Sequence, residues 1–159
     1  MDKHIFTVLV EHKPGVLQRI ASLFARRKFN IESITVGSTD NQGIARMTIV
    51  SCGDEHVLEQ VTKQMNKLPN VIRVTDLDKD MGVIRELCII KVNAPTEEKK
   101  SQVIRYAEVF RGNVVDVSPK SMSVEVVGDA KKIDALISLM RPIGIKEIAR
   151  TGVTAIARG

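Results

Sequence analysis

The sequence predicts an α+β fold in which one order of elements, βαββαβ, occurs twice along the chain. Short apolar strands alternate with amphipathic helices up to residue 78, and the same alternation returns after residue 83. The 159 residues suffice for two small domains. Hydrophobic residues make up 43% of the chain and aromatic residues only 3%, so the predicted cores are aliphatic.

The first half is predicted to contain four strands and two helices. In order, these are a strand at 4–11, a helix at 15–27, strands at 31–38 and 44–51, a helix after Asp54 and a strand at 71–77. Each helix carries its apolar residues on one face. Pro14 is predicted at the first helical position, where its missing N–H costs nothing. Asp54 is a typical N-cap, and Pro69 ends the second helix.

The second half repeats this order after a polar linker. The predicted elements are a strand at 87–92, a helix opened by Thr96, strands at 113–117 and 121–127, a helix capped by Asp129 and a strand at 145–150. Residues 153–157 are a candidate continuation of the last strand. The helix after Thr96 carries Glu97 and Glu98 in its first turn, as the helix dipole favours. Its predicted core face is Val103, Ile104, Ala107 and Phe110.

Both halves are therefore predicted as ferredoxin-like domains, each a four-stranded antiparallel sheet with two helices on one face. The predicted boundaries are 1–78 for the first domain, 79–83 for the linker and 84–159 for the second domain. Strands 44–50 and 71–77 carry apolar residues on both faces, whereas a sheet covered on one side should alternate with polar residues. This excess predicts pairing with a second copy, at least as a homodimer.

Composition indicates a soluble, cytoplasmic protein. The N-terminal apolar run is too short for a signal peptide, and no stretch approaches the length of a membrane span. Cys52 and Cys88 have no CxxC spacing, which favours two buried thiols in a reducing compartment. The net charge of +5 comes from scattered basic residues, so it is weak support for nucleic-acid binding.

Catalytic and metal-binding patterns were sought and not found. The three histidines, His4, His12 and His56, have no nucleophile or carboxylate at motif spacing, and the chain has no GxSxG, HExxH or P-loop. The segment from Asp76 resembles the start of an EF-hand loop, but its sixth position is Met81 where glycine is required. We therefore expect no catalytic residue and no metal site in this chain.

RNA-binding domains share the βαββαβ order and stack bases on aromatic residues of their central strands. The corresponding strands here contain one aromatic residue, Phe6, which we predict to lie in the core. Binding to RNA is therefore not expected.

Two features remain that suit a small ligand. At Pro14-Gly15-Val16 a strand runs into a helix whose first amides, on Gly15 and Val16, lack intrahelical partners, so a carboxylate could bind there. On this segment alone, ordinary helix initiation is the better explanation of the turn. Asn30, where the first helix gives way to the second strand, has a side-chain amide that can both donate and accept, so it could hold an amino or carboxyl group. The alternative is a residue that tolerates a left-handed turn at a helix end. The two features lie near opposite ends of the first helix, so only a dimer could bring them together.

The order of several segments resembles a known family. Residues 10–17 (VEHKPGVL), followed by residues 30–36 (NIESITV), resemble the ACT domains that bind amino acids. The resemblance extends to the small, regulatory subunits of acetolactate synthase (acetohydroxyacid synthase), through residues 46–50, 58–61, 110–117 and 149–152. It covers nearly the whole chain, in order.

The resemblance implies a function without a catalytic centre in this chain. In the family, a separate and larger catalytic subunit holds thiamine diphosphate, Mg²⁺ and FAD and makes acetolactate on the route to valine, leucine and isoleucine. The small subunit raises that activity and confers feedback inhibition, usually by valine. The expected partners are therefore this large subunit, a second copy of the chain and an amino acid, with no cofactor, nucleic acid or membrane.

The resemblance also implies where the effector binds. Family effector sites lie between paired ACT domains, so His12, Pro14, Gly15 and Val16 of one chain would face Asn30 and Ile31 of the other. The position of His12 is commonly Asn in the family, and an imidazole is bulkier, which leaves the identity of the effector open. The alternatives are an amino-acid-responsive regulator of another enzyme or of transcription, and an RNA-binding module.

Overall fold

The computed structural model describes residues 2–159 and divides them into two compact units. The first unit comprises the described part of Met1–Ile84 together with Gly152–Gly159, and the second comprises Arg85–Thr151. Both units have the order βαββαβ with an antiparallel sheet, so the predicted fold class is confirmed.

The first unit is a four-stranded sheet with two helices on one face. Its elements are β1 (Asp2–Glu11), α1 (Val16–Arg26), β2 (Asn30–Ser38), β3 (Ile44–Gly53), α2 (Glu55–Asn66) and β4 (Val71–Leu77). The strand order is β2-β3-β1-β4, so β2 and β4 are the edges. Apolar residues of both helices and of one sheet face form the core, which includes the fully buried Phe6 and therefore confirms its predicted place.

The second unit repeats the arrangement after a short 3-10 helix at Lys79–Met81. Its elements are β5 (Gly82–Asn93), α3 (Glu97–Val109), β6 (Asn113–Val117), β7 (Ser121–Gly128), α4 (Ala130–Met140) and β8 (Ile145–Arg150). The strand order is β6-β7-β5-β8. The first residues of β5, up to Ile84, belong to the first unit, and a further strand, β9 (Thr154–Ala157), pairs with β5. The predicted continuation at 153–157 is therefore not part of β8, because β9 is a separate strand of the first unit.

Side-chain caps begin three of the helices as predicted. Asp54, Thr96 and Asp129 each accept a hydrogen bond from the amide three residues later, at 2.9, 3.3 and 2.8 Å. The prediction that Ile104 belongs to the core face of α3 is wrong. Ile104 is 40% exposed, because the buried face of this helix is narrow and centres on Val103 and Ala107.

The outer face of the first sheet, on the side away from the helices, is organised in three rows of residues that pair across the strands. The apolar row contains Ser33, Val50, Ile5 and Leu77. The threonine row contains Thr35, Thr48, Thr7 and Thr75. The arginine row contains Gly37, Arg46, Leu9 and Arg73.

Residues 152–159, which we name the terminal strap, cover the apolar row. Ala155 is only 3% exposed and packs with Ile5, Val50 and Leu77. The Thr35 hydroxyl donates to the Val153 carbonyl at 2.8 Å. Some of the apolar residues that strands 44–50 and 71–77 carry on this face are therefore covered by the chain itself. Because the strap buries Val50 and Leu77, these two residues give no support for pairing with a second copy.

Two further expectations concern the cysteines and membranes. Both cysteines are free, but only Cys88 is buried, whereas Cys52 is half-buried and donates to the Glu32 carboxylate at 2.8 Å. The Glu32 hydrogen bond raises the pKa of the Cys52 thiol, which keeps it protonated. Within residues 2–159, no helix combines the length and the apolar character needed to cross a membrane.

Candidate functional site

The turn between β1 and α1 differs from the prediction in where the helix begins. Gly15 is the N-cap, and its φ of +87° is left-handed, so it cannot belong to the helix. The helix therefore starts at Val16, and Pro14 precedes the cap rather than occupying the first helical position. Apart from Gly15 itself and its two chain neighbours, no described residue has an atom within 4 Å of the place where a Cβ on Gly15 would be, so the approach to the turn is open.

The amides at this turn are largely unused. Among the described residues, no acceptor is found for the amides of Gly15, Leu17 and Gln18, while the Val16 amide makes a long bond of 3.4 Å to the Lys13 carbonyl. The α1 N-terminus has neither a side-chain cap nor an acidic residue in its first turn within the described chain. Such a terminus, with its partial positive charge, suits a carboxylate. Sequence reasoning missed Leu17 and Gln18, because it placed the helix start too early.

Neighbouring segments fix the position of the turn. The His12 amide donates to the Gly43 carbonyl at 2.8 Å, and the Glu11 amide donates to the Asn70 carbonyl at 2.9 Å. The Asn70 side chain donates to the Glu11 carboxylate at 3.2 Å and accepts from Arg19. The turn is thus tied to the β2–β3 hairpin and to the start of β4.

Glu11 also forms an ion pair across the turn. The Lys13 ammonium lies 2.8 Å from the Glu11 carboxylate, and together with Asn70 it holds the pKa of that carboxyl below its usual value. The Glu11 charge is therefore neutralised locally by Lys13. The side chains of His12 and Pro14 are exposed beside it.

Asn30 and Ile31 begin β2, at the other end of the sheet. Asn30 pairs with Cys52, and its carbonyl accepts a hydrogen bond from the Ser51 hydroxyl at 2.7 Å. Its side-chain amide is exposed and forms no hydrogen bond with any other described residue. Ile31 packs partly against the core. The 11 residues of α1 span about 16 Å, so one chain does not bring Asn30 to the Gly15 turn.

Two family models match the chain, one in each half. A model described as the AHAS small subunit-like ACT domain matches residues 6–73, and one described as the small subunit of acetolactate synthase matches residues 85–159. A probable acetolactate synthase small subunit from Methanothermobacter thermautotrophicus is 60% identical over 158 residues, covering 99% of this chain and 94% of that protein. The chain belongs to the acetolactate synthase small-subunit family.

More distant members of the small-subunit family agree over the same length. The acetolactate synthase small subunit of Aquifex aeolicus is 50% identical over 98% of this chain and 81% of that protein. A crystal structure of the acetolactate synthase small subunit from Thermotoga maritima has a TM-score of 0.93 and 40% identity, over 100% of this chain and 99% of that one. Membership of this family implies a larger, catalytic subunit as a partner.

Proposed function

We propose that this chain is the regulatory subunit that activates the catalytic large subunit of acetolactate synthase and inhibits it when a branched-chain amino acid, valine above all, accumulates. The observation that carries the proposal is the turn at Gly15, which presents unused amides at an open helix N-terminus. The carboxylate of a free amino acid has the charge and size that such a turn binds. The chain itself is proposed to be non-catalytic and cytoplasmic, and to hold no cofactor.

The second half of the proposed site comes from a partner copy. β2 is an edge of its sheet, and Asn30 begins it at the end opposite to the Gly15 turn. If two β2 edges pair antiparallel, the partner's β2 runs in the reverse direction, so its first residues reach the end where the Gly15 turn lies. The proposed homodimer therefore combines the turn residues of one chain with Asn30 and Ile31 of the other.

The proposed regulation is a linkage between effector binding and subunit arrangement. An amino acid held by two chains stabilises one arrangement of the dimer over another. A coupling of about 1–3 kcal/mol is enough to change the behaviour of a partner 5- to 150-fold. The effector must bind the two arrangements unequally, because equal binding shifts nothing.

The test is complementation between two defective variants in the complex with the large subunit. Gly15→Asp places a negative charge at the free amides, and Asp is one of the residues that tolerate left-handed backbone. Asn30→Leu removes the side-chain amide while it keeps the backbone bond to Ser51. Each variant alone should still activate the large subunit but should lose its response to valine.

Coexpression of the two variants should restore part of the response. In a mixed dimer one site carries both substitutions and the other carries neither, so about a quarter of all sites should be intact. Calorimetry and inhibition by valine measure the recovery. Coexpressed chains that stay unresponsive, although each variant binds the large subunit, would show that the site is not shared between copies.

A further inference from the structure

The outer face of the first sheet has an open part beside the terminal strap. The strap covers the apolar row, and the Ala155 amide reaches the Thr48 hydroxyl of the threonine row at 3.4 Å. The arginine row lies beyond it, next to a depression of about 350 Å³. Its lining includes Leu9, Arg46 and Ile72, and Ile72 is 53% exposed.

The two arginines of this row lie close together, and the described part of the chain supplies no counter-ion to either. Arg46 and Arg73 each pair with Leu9, from strands on either side of it, so their backbones are about 10 Å apart. Within residues 2–159, neither guanidinium forms an ion pair or a side-chain hydrogen bond. Other cations of the same unit, such as Lys3 and Lys13, do have carboxylate partners.

The acidic residues of this region do not supply the missing charge. Glu11 lies on the same face, but its carboxylate forms an ion pair with Lys13 and accepts a hydrogen bond from Asn70. Asp40 lines the depression but makes no ion pair with Arg46 among the described residues. Gly37 completes the row and leaves open space beside Arg46, since no described residue other than its chain neighbours has an atom within 4 Å of the place where a Cβ on Gly37 would be.

We propose that the arginine row, with Leu9 and Ile72, is a docking surface for an acidic segment of the catalytic large subunit. Such a segment would place an apolar side chain over Leu9 and Ile72 and a carboxylate on each arginine, which can bind it bidentately. The inference rests on the proposed function, because it assigns a contact to the partner named there.

Charge complementarity favours this occupant over the other candidates. A second copy would present the same two arginines, and the chain carries a net charge of +5, so like charges would meet. A nucleic acid would supply phosphates. However, the four residues of the arginine row and Ile72 include no aromatic side chain on which a base could stack.

The experiment titrates the large subunit with full-length chain and compares two pairs of substitutions. The double variant R46E/R73E reverses the docking charges. The control, K63E/K67E, makes the same change in net charge on exposed positions of α2 and its C-cap, on the other side of the sheet. Apparent affinity is read from activation of the large subunit at several salt concentrations, and unfolding and oligomeric state are measured for each variant.

We expect R46E/R73E to weaken the apparent affinity about a hundredfold and to reduce its salt dependence, with unfolding and oligomeric state unchanged. The control should stay close to wild type. R46K/R73K keeps the charge but loses the bidentate geometry, so its affinity should lie between those of wild type and R46E/R73E. Equal weakening by the control, or a loss that follows unfolding or dissociation of the variant, would overturn the inference. So would wild-type affinity in the reversed variant, or binding of single-stranded RNA that the reversal abolishes.

Failure of the proposed function gives a different result. In that case wild-type chain would neither bind nor activate the large subunit, whatever stands at positions 46 and 73. If wild type activates and R46E/R73E activates equally well at equal concentration, the proposed function stands and only the docking surface is wrong.

Discussion

The first helices of the two units both follow a proline but have different N-termini. In both units a proline comes directly before the N-cap, which is Gly15 in α1 and Thr96 in α3. Thr96 has extended backbone, and its hydroxyl accepts from the Lys99 amide, while Glu97 and Glu98 occupy the first turn. Gly15 is left-handed, and the described chain supplies neither a cap nor a first-turn acid at α1.

The N-terminus of α3 is capped and charge-compensated by its own residues, whereas the N-terminus of α1 could accept a ligand. The positive end of α3 already faces two carboxylates and a hydroxyl, so a further anion would be repelled. At α1 the same groups are missing although the fold around it is equivalent. Stability therefore does not require an uncapped start at this position, which supports a binding role for the Gly15 turn.

The largest expected effect comes from giving α1 the acid that α3 has. Leu17→Glu places a carboxylate in the first turn, at the position equivalent to Glu98, and Leu17 is 46% exposed. Because a carboxylate interacts favourably with the positive end of the helix dipole, the free energy of unfolding should stay the same or rise by about 0.3–1 kcal/mol. Repulsion of the effector carboxylate by about 3 kcal/mol should weaken valine binding about a hundredfold.

Calorimetry on the complex with the large subunit measures that change, with Leu17→Gln as the uncharged control. If Leu17→Glu and Leu17→Gln bind valine equally, the free amides of α1 are not the carboxylate site.

A second substitution separates backbone conformation from charge at the same turn. Gly15→Ala meets no steric obstacle, but its left-handed φ should cost about 1–2 kcal/mol of stability. Because the amides stay accessible, valine affinity should fall far less than in Leu17→Glu. Urea unfolding and calorimetry measure the two effects, and a loss of affinity as large as that of Leu17→Glu would assign the effect to conformation.

Removal of the α3 cap should produce a purely structural effect. Thr96→Ala loses the hydrogen bond from the Lys99 amide, which should destabilise the chain by about 1 kcal/mol. Thermal unfolding measures the loss. Valine inhibition of the reconstituted complex should be unchanged, and a changed inhibition constant would mean that the two helix starts do not have separate roles.

The smallest effect concerns pH and the ion pair beside the Gly15 turn. The folded-state pKa of Glu11 lies below the usual value of a glutamate, because Lys13 and Asn70 stabilise the carboxylate. A lowered pKa contributes stability that is present above the unfolded pKa and is lost as pH falls through the folded one. Glu11→Gln should therefore lose less stability than wild type between pH 5 and the acid limit of folding, as measured by urea unfolding. Identical pH profiles would show that Glu11 contributes nothing.

The elements of both units follow from local sequence, because helical and strand periodicities and the caps Asp54, Thr96 and Asp129 act over a few residues. The left-handed Gly15 was not foreseen, since Pro-Gly is compatible with a helix that starts at the proline and with one that starts after the glycine. The pairing of β9 could not be predicted from the sequence either, because apolar alternation at 153–157 predicts a strand but does not identify the strand it pairs with. The arginine row depends on the register of four strands, which no single segment specifies.

The terminal strap has a consequence for biosynthesis. Ala155 packs on Ile5, Val50 and Leu77, yet it lies more than seventy positions after Leu77 in the chain. During translation the whole of Arg85–Thr151 must therefore leave the ribosome before the amino-terminal sheet can bury this strip. A nascent chain that stalls before the terminal strap is synthesised leaves this hydrophobic surface exposed. An incomplete polypeptide is therefore accessible to chaperones and proteases.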